Sequence, residues 1–477
     1  MRFGIDFGTT HTVVATIDRG NYPIVSFEHV DVIPSIVAAD GEGKLHFGRS
    51  EPGWTVLRSF KRLLDEGHPE SEVRIGAVSV PLGELLTRFL GHVRDQLLHH
   101  SNAGLRKKDK IEAAVSVPAN ASTAQRLITM DAYRRAGFDV KAVLNEPSAA
   151  GFEYAHRYRE TVTSKREYVL VYDLGGGTFD ASLIHMEGRT NEVITSSGIS
   201  RLGGDDFDEA IARFVLRKRG GGEPTQDLLD EVREQKESLN PNSRKFVLED
   251  VSLGVEDVYD ACTPLIERTL TAMESAMRDP RRGEDEVAWT ELAGIYVVGG
   301  ASSFAPVRRL LRERFGAHRV RRSLHPYGSC AIGLAIHLDE GAGYKLTERL
   351  TRNFGVFRED EGGGRISFDV LVPKDTPLPA RVSRRYRAAH NVGHYRFVEC
   401  GRIDGGRPEG NLAAWDELLF PFDPALRGRD LAKVQVQRVG EGPEVEEVYQ
   451  CGADGTVIAS LRVLEDGFER TLRLSRR

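Results

Sequence analysis

The chain has 477 residues, too many for one hydrophobic core, so about two to four domains of roughly 100–200 residues each are expected. Hydrophobic residues make up 40% and charged residues 29%, the balance of a folded globular protein. A net charge of -6, with basic residues clustered only in short pairs (Arg321-Arg322, Arg384-Arg385, Arg476-Arg477), argues against nucleic acid as a main partner.

In chain order, "RFGIDFG" and "TVVATID" read as strands around a Gly-Thr-Thr turn. "SVPLGELLTRFLGHVRDQLLHH" carries Leu82, Leu85, Leu86, Phe89, Leu90, Val93 and Leu97 at helical spacing. "IEAAVSVPA" is a buried strand, and "STAQRLITMDAYRRAGF" a helix with Ser122 as N-cap and Gly137 as stop. "VKAVLNEPSAAGFEYA" passes from strand through turn to helix, and "VYDLGGGTFDASLIH" is a second glycine-interrupted strand pair. A helical stretch covers about residues 205–280, and "AGIYVVGGASSF" is a strand ending in Gly-Gly. This β-then-α alternation predicts an α/β architecture over residues 1–338. Residues 339–351 are polar and read as a linker. From 352 to 477, short alternating runs predict an all-β sandwich, with Asp454-Gly455 as a hairpin turn.

No run of about 18 apolar residues occurs, so no membrane-spanning helix and no membrane partner are expected. Cys262, Cys330, Cys400 and Cys451 form no C-x-x-C pair and fit free thiols in a reducing, cytoplasmic setting.

"GIDFGTTHTVVATID" and "VYDLGGGTFDASLIH" share one form: apolar strand, Asp, apolar residue, Gly, small residues, second strand. Such an echo predicts a duplicated domain. Glycines let backbone N–H groups approach an anion closely, so both turns read as phosphate grips, aided by the hydroxyls of Thr9, Thr10 and Thr178. Asp6 and Asp173 hold the same place in each copy, and two facing carboxylates suit a mostly hydrated Mg²⁺. A plainer reading is a pair of tight turns needing glycine for positive φ; the repetition with its matched Asp favours the grips. No P-loop, G-x-G-x-x-G, G-x-S-x-G or H-E-x-x-H motif is present.

"IDFGTTHT", "FKRLL", "VSVPANASTAQR", "LNEPSAAG", "VYDLGGGTFD", "LGGDDFD" and "VVGGA" occur in the order and rough spacing of the seventy-kilodalton heat-shock (DnaK-type) chaperone family, which residues 1–338 resemble. The resemblance implies an actin-like, two-lobe, ribonuclease-H-like ATPase domain closing on ATP or ADP with Mg²⁺, and K⁺ as a candidate second cation. It implies catalytic roles for Lys61, which would position the attacking water, and for Glu146, Asp6, Asp173 and Thr178. Gly8, Thr9, Thr10, Gly175, Gly176, Gly177, Gly203, Gly204, Asp206, Lys236, Gly299 and Gly300 would contact the nucleotide. Asp6, Asp173 and Asp180 would serve the metal and its waters, and Pro118 with Arg126 would relay nucleotide state between domains. Three of these have plain alternatives: Lys61 as an exposed helix lysine, Glu146 as a charged turn residue before Pro147, and Asp206 as a helix cap.

The departures cluster around the base. Glu237 stands where the family has an arginine stacked on adenine, Asn240 replaces a serine, Ala301-Ser302-Ser303 lacks an arginine, and Tyr327 replaces an aspartate. Phosphate chemistry is expected intact, with nucleotide binding weaker or less base-selective.

Residues 352–477 resemble the family's peptide-binding β-sandwich less tightly, through "VLVPKDTPLPARVS" and "QCGADGTVIASL". No helical lid follows them, so a lidless variant with fast, weak peptide exchange is expected. The implied function is an ATP-hydrolysing chaperone-like protein acting on unfolded peptide, with a J-domain-type co-chaperone and a nucleotide exchange factor as candidate partners. The alternative is a nucleotide switch with one dedicated protein partner. A small-molecule kinase of the same superfold would need an acceptor pocket that the sequence does not show.

Overall fold

The computed structural model describes residues 1–473 except 66, 107, 284, 285, 361–363, 411 and 416. Arg476-Arg477 lies outside the described residues. The chain forms two compact units: one holds Met1–Asp65, Ser71–Asn120 and Asp131–Leu346, the other Glu66–Glu70, Ala121–Met130 and Thr347–Arg477.

The first unit is built on two sheets of one design. In the first, Arg2–Phe7 pairs antiparallel with His11–Thr16 and parallel with Glu112–Val117, which pairs parallel with Asp139–Asn145. In the second, Tyr168–Leu174 pairs antiparallel with Phe179–Glu187 and parallel with Leu292–Val298, which pairs parallel with Val320–Arg322. The sequence echo is thus a topological repeat, strand for strand. Tyr168–Leu174 and Leu292–Val298 are buried at every position, as apolar strands covered on both faces must be.

Between the sheets lie two helices, Glu146–Arg157 and Ser329–Leu338. The second is apolar on all sides, the pattern of a helix buried all round. The two touch backbone to backbone: a Cβ on Gly333 would land on the Ala149 carbonyl, so glycine is what permits the crossing. Their core joins Val13, Ala15 and Leu144 of one sheet to Val169, Val171 and Tyr296 of the other. A second core covers the far face of the second sheet with the helices Gly204–Arg219, Val255–Ser275 and Ala305–Phe315. The helix predicted after residue 79 is Leu82–His99, and all seven apolar residues named for it are buried. The expected linker is partly ordered into the first unit. Tyr344 and Leu346 pack on its core, and Lys345–Thr347 adds an edge strand to the second sheet.

The second unit contains two four-stranded sheets. One runs Arg365–Val372, Asn353–Asp360, Phe397–Cys400, Ala413–Ala414; the other Ala380–Arg387, Glu444–Cys451, Val457–Val463, Glu469–Arg473. Glu444–Cys451 and Val457–Val463 alternate in burial, and their inner residues Val445, Tyr449, Ala459 and Leu461 meet Phe354, Val356 and Phe397 of the other sheet. The Asp454-Gly455 hairpin forms as predicted: Gly455 has φ +75°, and Asp454 Oδ1 accepts from the Thr456 backbone N–H at 3.0 Å. A charged group sits in this core. Glu447 is fully buried, bound by Arg358 Nη2 at 2.5 Å and by the Tyr386 and Tyr449 hydroxyls at 2.6 and 2.7 Å. A buried carboxylate is tolerated only with its lone pairs satisfied in this way.

Candidate nucleotide site

The two hairpin turns carry the same backbone bond. Gly8 N–H donates to the His11 carbonyl at 3.0 Å, and Gly175 N–H to the Thr178 carbonyl at 3.0 Å. The turns press on each other. A Cβ on Gly176 would lie 2.3 Å from Thr10 Cγ2, and one on Gly177 2.7 Å from Thr9 Cγ2. None of these turn glycines has positive φ. At Gly8, Gly176 and Gly177 glycine is therefore required for space, not for a left-handed turn, and the plainer reading of the motif falls. Gly203 is glycine for the same reason, since its Cβ would meet the Gly176 carbonyl at 2.6 Å.

The carboxylates gather beneath the turns. Glu146 opens the helix Glu146–Arg157, and Lys61 lies in the short 3-10 helix Phe60–Asp65. Lys61 Nζ donates to Glu146 Oε1 at 2.6 Å, and the two residues are only 8% and 9% exposed. Lys61 is thus not an exposed helix lysine. Ser116 Oγ donates to Asp6 Oδ1 at 2.6 Å, and Cys330 Sγ lies 3.7 Å from Asp173 Oδ2. Gly299, at φ +81°, leaves room for Asp173, whose Oδ1 would otherwise be 2.5 Å from a Cβ. Asp180 is the cross-strand partner of Asp173.

Burial, then the nearby Glu146 charge, lifts Asp6 to about 6. The same two causes hold Asp173 and Asp180 well above the usual carboxylate range. Burial opposes the charge of Lys61, but Glu146 and Asp6 outweigh it and raise its pKa. Asp6, Asp173 and Glu146 face this one lysine, so the site is short of positive charge. Among the described residues no group of three or more His, Cys, Asp or Glu forms a ready-made metal cage. A buried negative excess without a full protein cage fits Mg²⁺ that keeps waters and shares phosphate oxygens. Asp6 and Asp173, which line one cavity, could hold such an ion.

Two adjoining cavities share Thr10, His11, Gly176, Gly300 and Tyr327. One adds Asp6, Gly8, Thr9, Lys61, Glu146, Asp173, Gly175, Thr178 and Gly299. The other reaches the helices Gly204–Arg219 and Gln226–Ser238 and is lined by Gly204, Lys236, Glu237, Asn240, Ala301 and Ser303. Among the lining residues that the sequence reading missed are His11, Arg233 and Arg308. Arg233 pairs with Asp205 at 2.9 Å and Asp208 at 3.0 Å, and Lys236 with Asp208 at 2.6 Å. This cavity therefore does contain arginines, at positions other than those where the resemblance placed them. The spacing of Arg233, Lys236 and Glu237 on one helix face was the available signal.

Some expected contacts lie behind the walls. Gly177, Asp180, Gly203 and Asp206 do not line either cavity. Asp206 is the helix cap: its Oδ2 accepts from the Gly203 N–H at 2.8 Å and from Arg62 Nη2 at 2.5 Å. Pro118 follows the strand Glu112–Val117 in the first unit, whereas Arg126 falls in Ala121–Met130, grouped with the second. Arg126 is buried and donates to the Ala121 and Asp454 carbonyls.

The Hsp70 protein family model matches residues 87–345, more than half of the chain. The chain is 28% identical over 424 residues to a chaperone protein HscA homologue of Acidithiobacillus ferrooxidans, covering 81% of this chain and 66% of that protein. It is 27% identical over 511 residues to chaperone protein DnaK of Thermosipho melanesiensis, covering 99% of this chain and 80% of that protein. It is 27% identical over 515 residues to heat shock 70 kDa protein BIP3 of Oryza sativa subsp. japonica, covering 96% and 72%. The chain thus spans just under two thirds of the length of the HscA homologue. With the duplicated sheets, the facing turns and these matches together, the chain belongs to the Hsp70 protein family.

Proposed function

We propose that this protein is an ATP-dependent molecular chaperone: it binds ATP with Mg²⁺, hydrolyses it slowly to ADP and phosphate, and couples nucleotide state to the binding of unfolded peptide by the β-sandwich. The reading rests on one arrangement, two pressed-together glycine turns above a buried Lys61–Glu146 pair that is flanked by Asp6 and Asp173. The chaperone names of the relatives support the second half of it. The duplicated sheets support an actin-like, two-lobed ATPase domain.

Phosphoryl transfer to water needs positioning and charge neutralisation more than strong acid–base chemistry. Mg²⁺, with K⁺ as a second candidate cation, would supply that neutralisation when bound. The turn N–H groups and the Thr9, Thr10 and Thr178 hydroxyls grip the phosphate chain. Lys61 Nζ donates and Glu146 accepts, so the pair offers one water both kinds of partner and fixes its orientation. Burial makes each bond to this water stronger than it would be in solvent. Asp180 supports Asp173 from the neighbouring strand, and Pro118 and Arg126 act as the relay. Unfolded peptide, a J-domain-type co-chaperone and a nucleotide exchange factor are the proposed partners. The setting is cytoplasmic, which fits four free, buried cysteines; no helix among the described residues is long and apolar enough to cross a membrane.

Calorimetric titration with Mg·ADP, competed by other nucleoside diphosphates, tests the reading. Binding with only modest preference for adenine is expected from the rebuilt base end. No binding would overturn the function, and nanomolar affinity with strict adenine preference would overturn the account of the base end.

A further inference from the structure

His11 stands at the junction of the two cavities, lining both, and carries none of the roles assigned above. Its Nδ1 meets Thr10 Oγ1 at 3.1 Å. Its ring packs edge-on against Tyr327, centroids 5.5 Å apart at 74°. These two contacts fix the ring, and Nε2 has no partner among the described residues. We propose that His11 is a nucleotide contact that takes up a proton at Nε2 as the phosphate chain settles between the two turns. The inference rests on the nucleotide reading of the site.

The electrostatics around the ring favour such a switch. Without ligand, burial and then the Arg233 guanidinium hold the imidazole below its ordinary value, so it is neutral near pH 7. On the base side the charges balance: Asp205, Asp208 and Glu237 face Arg233, Lys236 and Arg308. Arg233 and Lys236 are already engaged by Asp205 and Asp208. On the phosphate side Lys61 is engaged by Glu146, with Asp6 and Asp173 beyond it. A phosphate chain adds several negative charges beside a donor site with no other partner. That favours the imidazolium, and the proton comes from solvent.

The sign follows from linkage. A pKa higher in the complex than in the free protein makes nucleotide binding tighter at low pH. The gain is complete below the free value and disappears as pH rises through the bound value. An upward shift of one unit corresponds to about a tenfold change in affinity.

Titrating the full chain with Mg·ADP from about pH 6 to about pH 8, in buffers of different ionisation enthalpy, reads both affinity and proton uptake. His11→Gln keeps a hydrogen-bonding group near Nε2 but cannot titrate. The wild type is expected to tighten severalfold more than H11Q across this range and to take up a fraction of a proton that H11Q does not. Equal slopes and equal proton counts in the two proteins would overturn the role of His11 while leaving the nucleotide site standing. Failure of the wild type to bind ADP at any pH would instead overturn the nucleotide reading and this inference with it. Imidazole NMR shifts of His11 in the wild type need no variant: its titration midpoint should rise when Mg·ADP is added, and an unmoved midpoint contradicts the proposal.

Discussion

Gly176→Ala is the sharpest perturbation of the facing turns. The new Cβ would lie 2.3 Å from Thr10 Cγ2, 2.9 Å from its Oγ1 and 3.2 Å from its Cβ. Threonine is branched at Cβ and has few rotamers to retreat into, so the turns must part. Forcing a methyl into a packed site costs about 1–3 kcal/mol. If that cost falls on the bound geometry, Mg·ADP affinity drops about fivefold to 150-fold. Thr10→Ala removes Cγ2 and Oγ1, the two nearest atoms. The double variant should therefore bind better than the sum of the single losses predicts, with a coupling of about 0.5–3 kcal/mol. Calorimetric Kd values for the four proteins give the cycle. Additive losses, or unchanged binding in Gly176→Ala, would refute the claim that these turns are pressed together around the ligand.

Three further outcomes concern the scaffold. Arg358→Met leaves Glu447 buried without its cation and should lower unfolding free energy by about 3–5 kcal/mol, read as a lower urea midpoint. Gly91→Ala, inside the helix Leu82–His99 with nothing within 4 Å of its Cβ, should stabilise by about 0.5–1 kcal/mol and raise Tm. Burial alone would raise the pKa of Asp279, but Arg281 and the Tyr168 hydroxyl outweigh it and hold the group at about 2. Its folded-state pKa is depressed, so its contribution is present above the unfolded value near 4 and lost as pH falls through about 2. Asp279→Asn should cost about 2 kcal/mol at neutral pH and nothing at the acid end, by urea unfolding at several pH values.

What the sequence showed was what repeats or keeps a period. The seven apolar positions of Leu82–His99 are all buried because one stripe of a helix meets one core. The glycine turns were legible through their duplication, although the reason for the glycines, space for Thr9 and Thr10, needed three-dimensional packing. Asp206 illustrates a choice that local sequence leaves open: three residues after Gly203 it suits both a cap and a ligand contact, and the structure makes it the cap. The base end was least legible. Position-by-position reading found arginines replaced, whereas Arg233 and Arg308 enter from neighbouring helix turns, and His11 from the strand after the first turn. The grouping of Ala121–Met130 with the β-rich unit left no local signal, since a helix sequence does not say which core its first turns join.

Single-turnover hydrolysis of Mg·ATP by the full chain tests the central claim most directly, comparing wild type with Lys61→Ala. Slow release of phosphate by the wild type is predicted, falling by about a hundredfold or more in the variant, as for loss of a positioned donor in other active sites. Hydrolysis at the wild-type rate by Lys61→Ala, with Mg·ADP still bound, would contradict a mechanism centred on the Lys61–Glu146 pair.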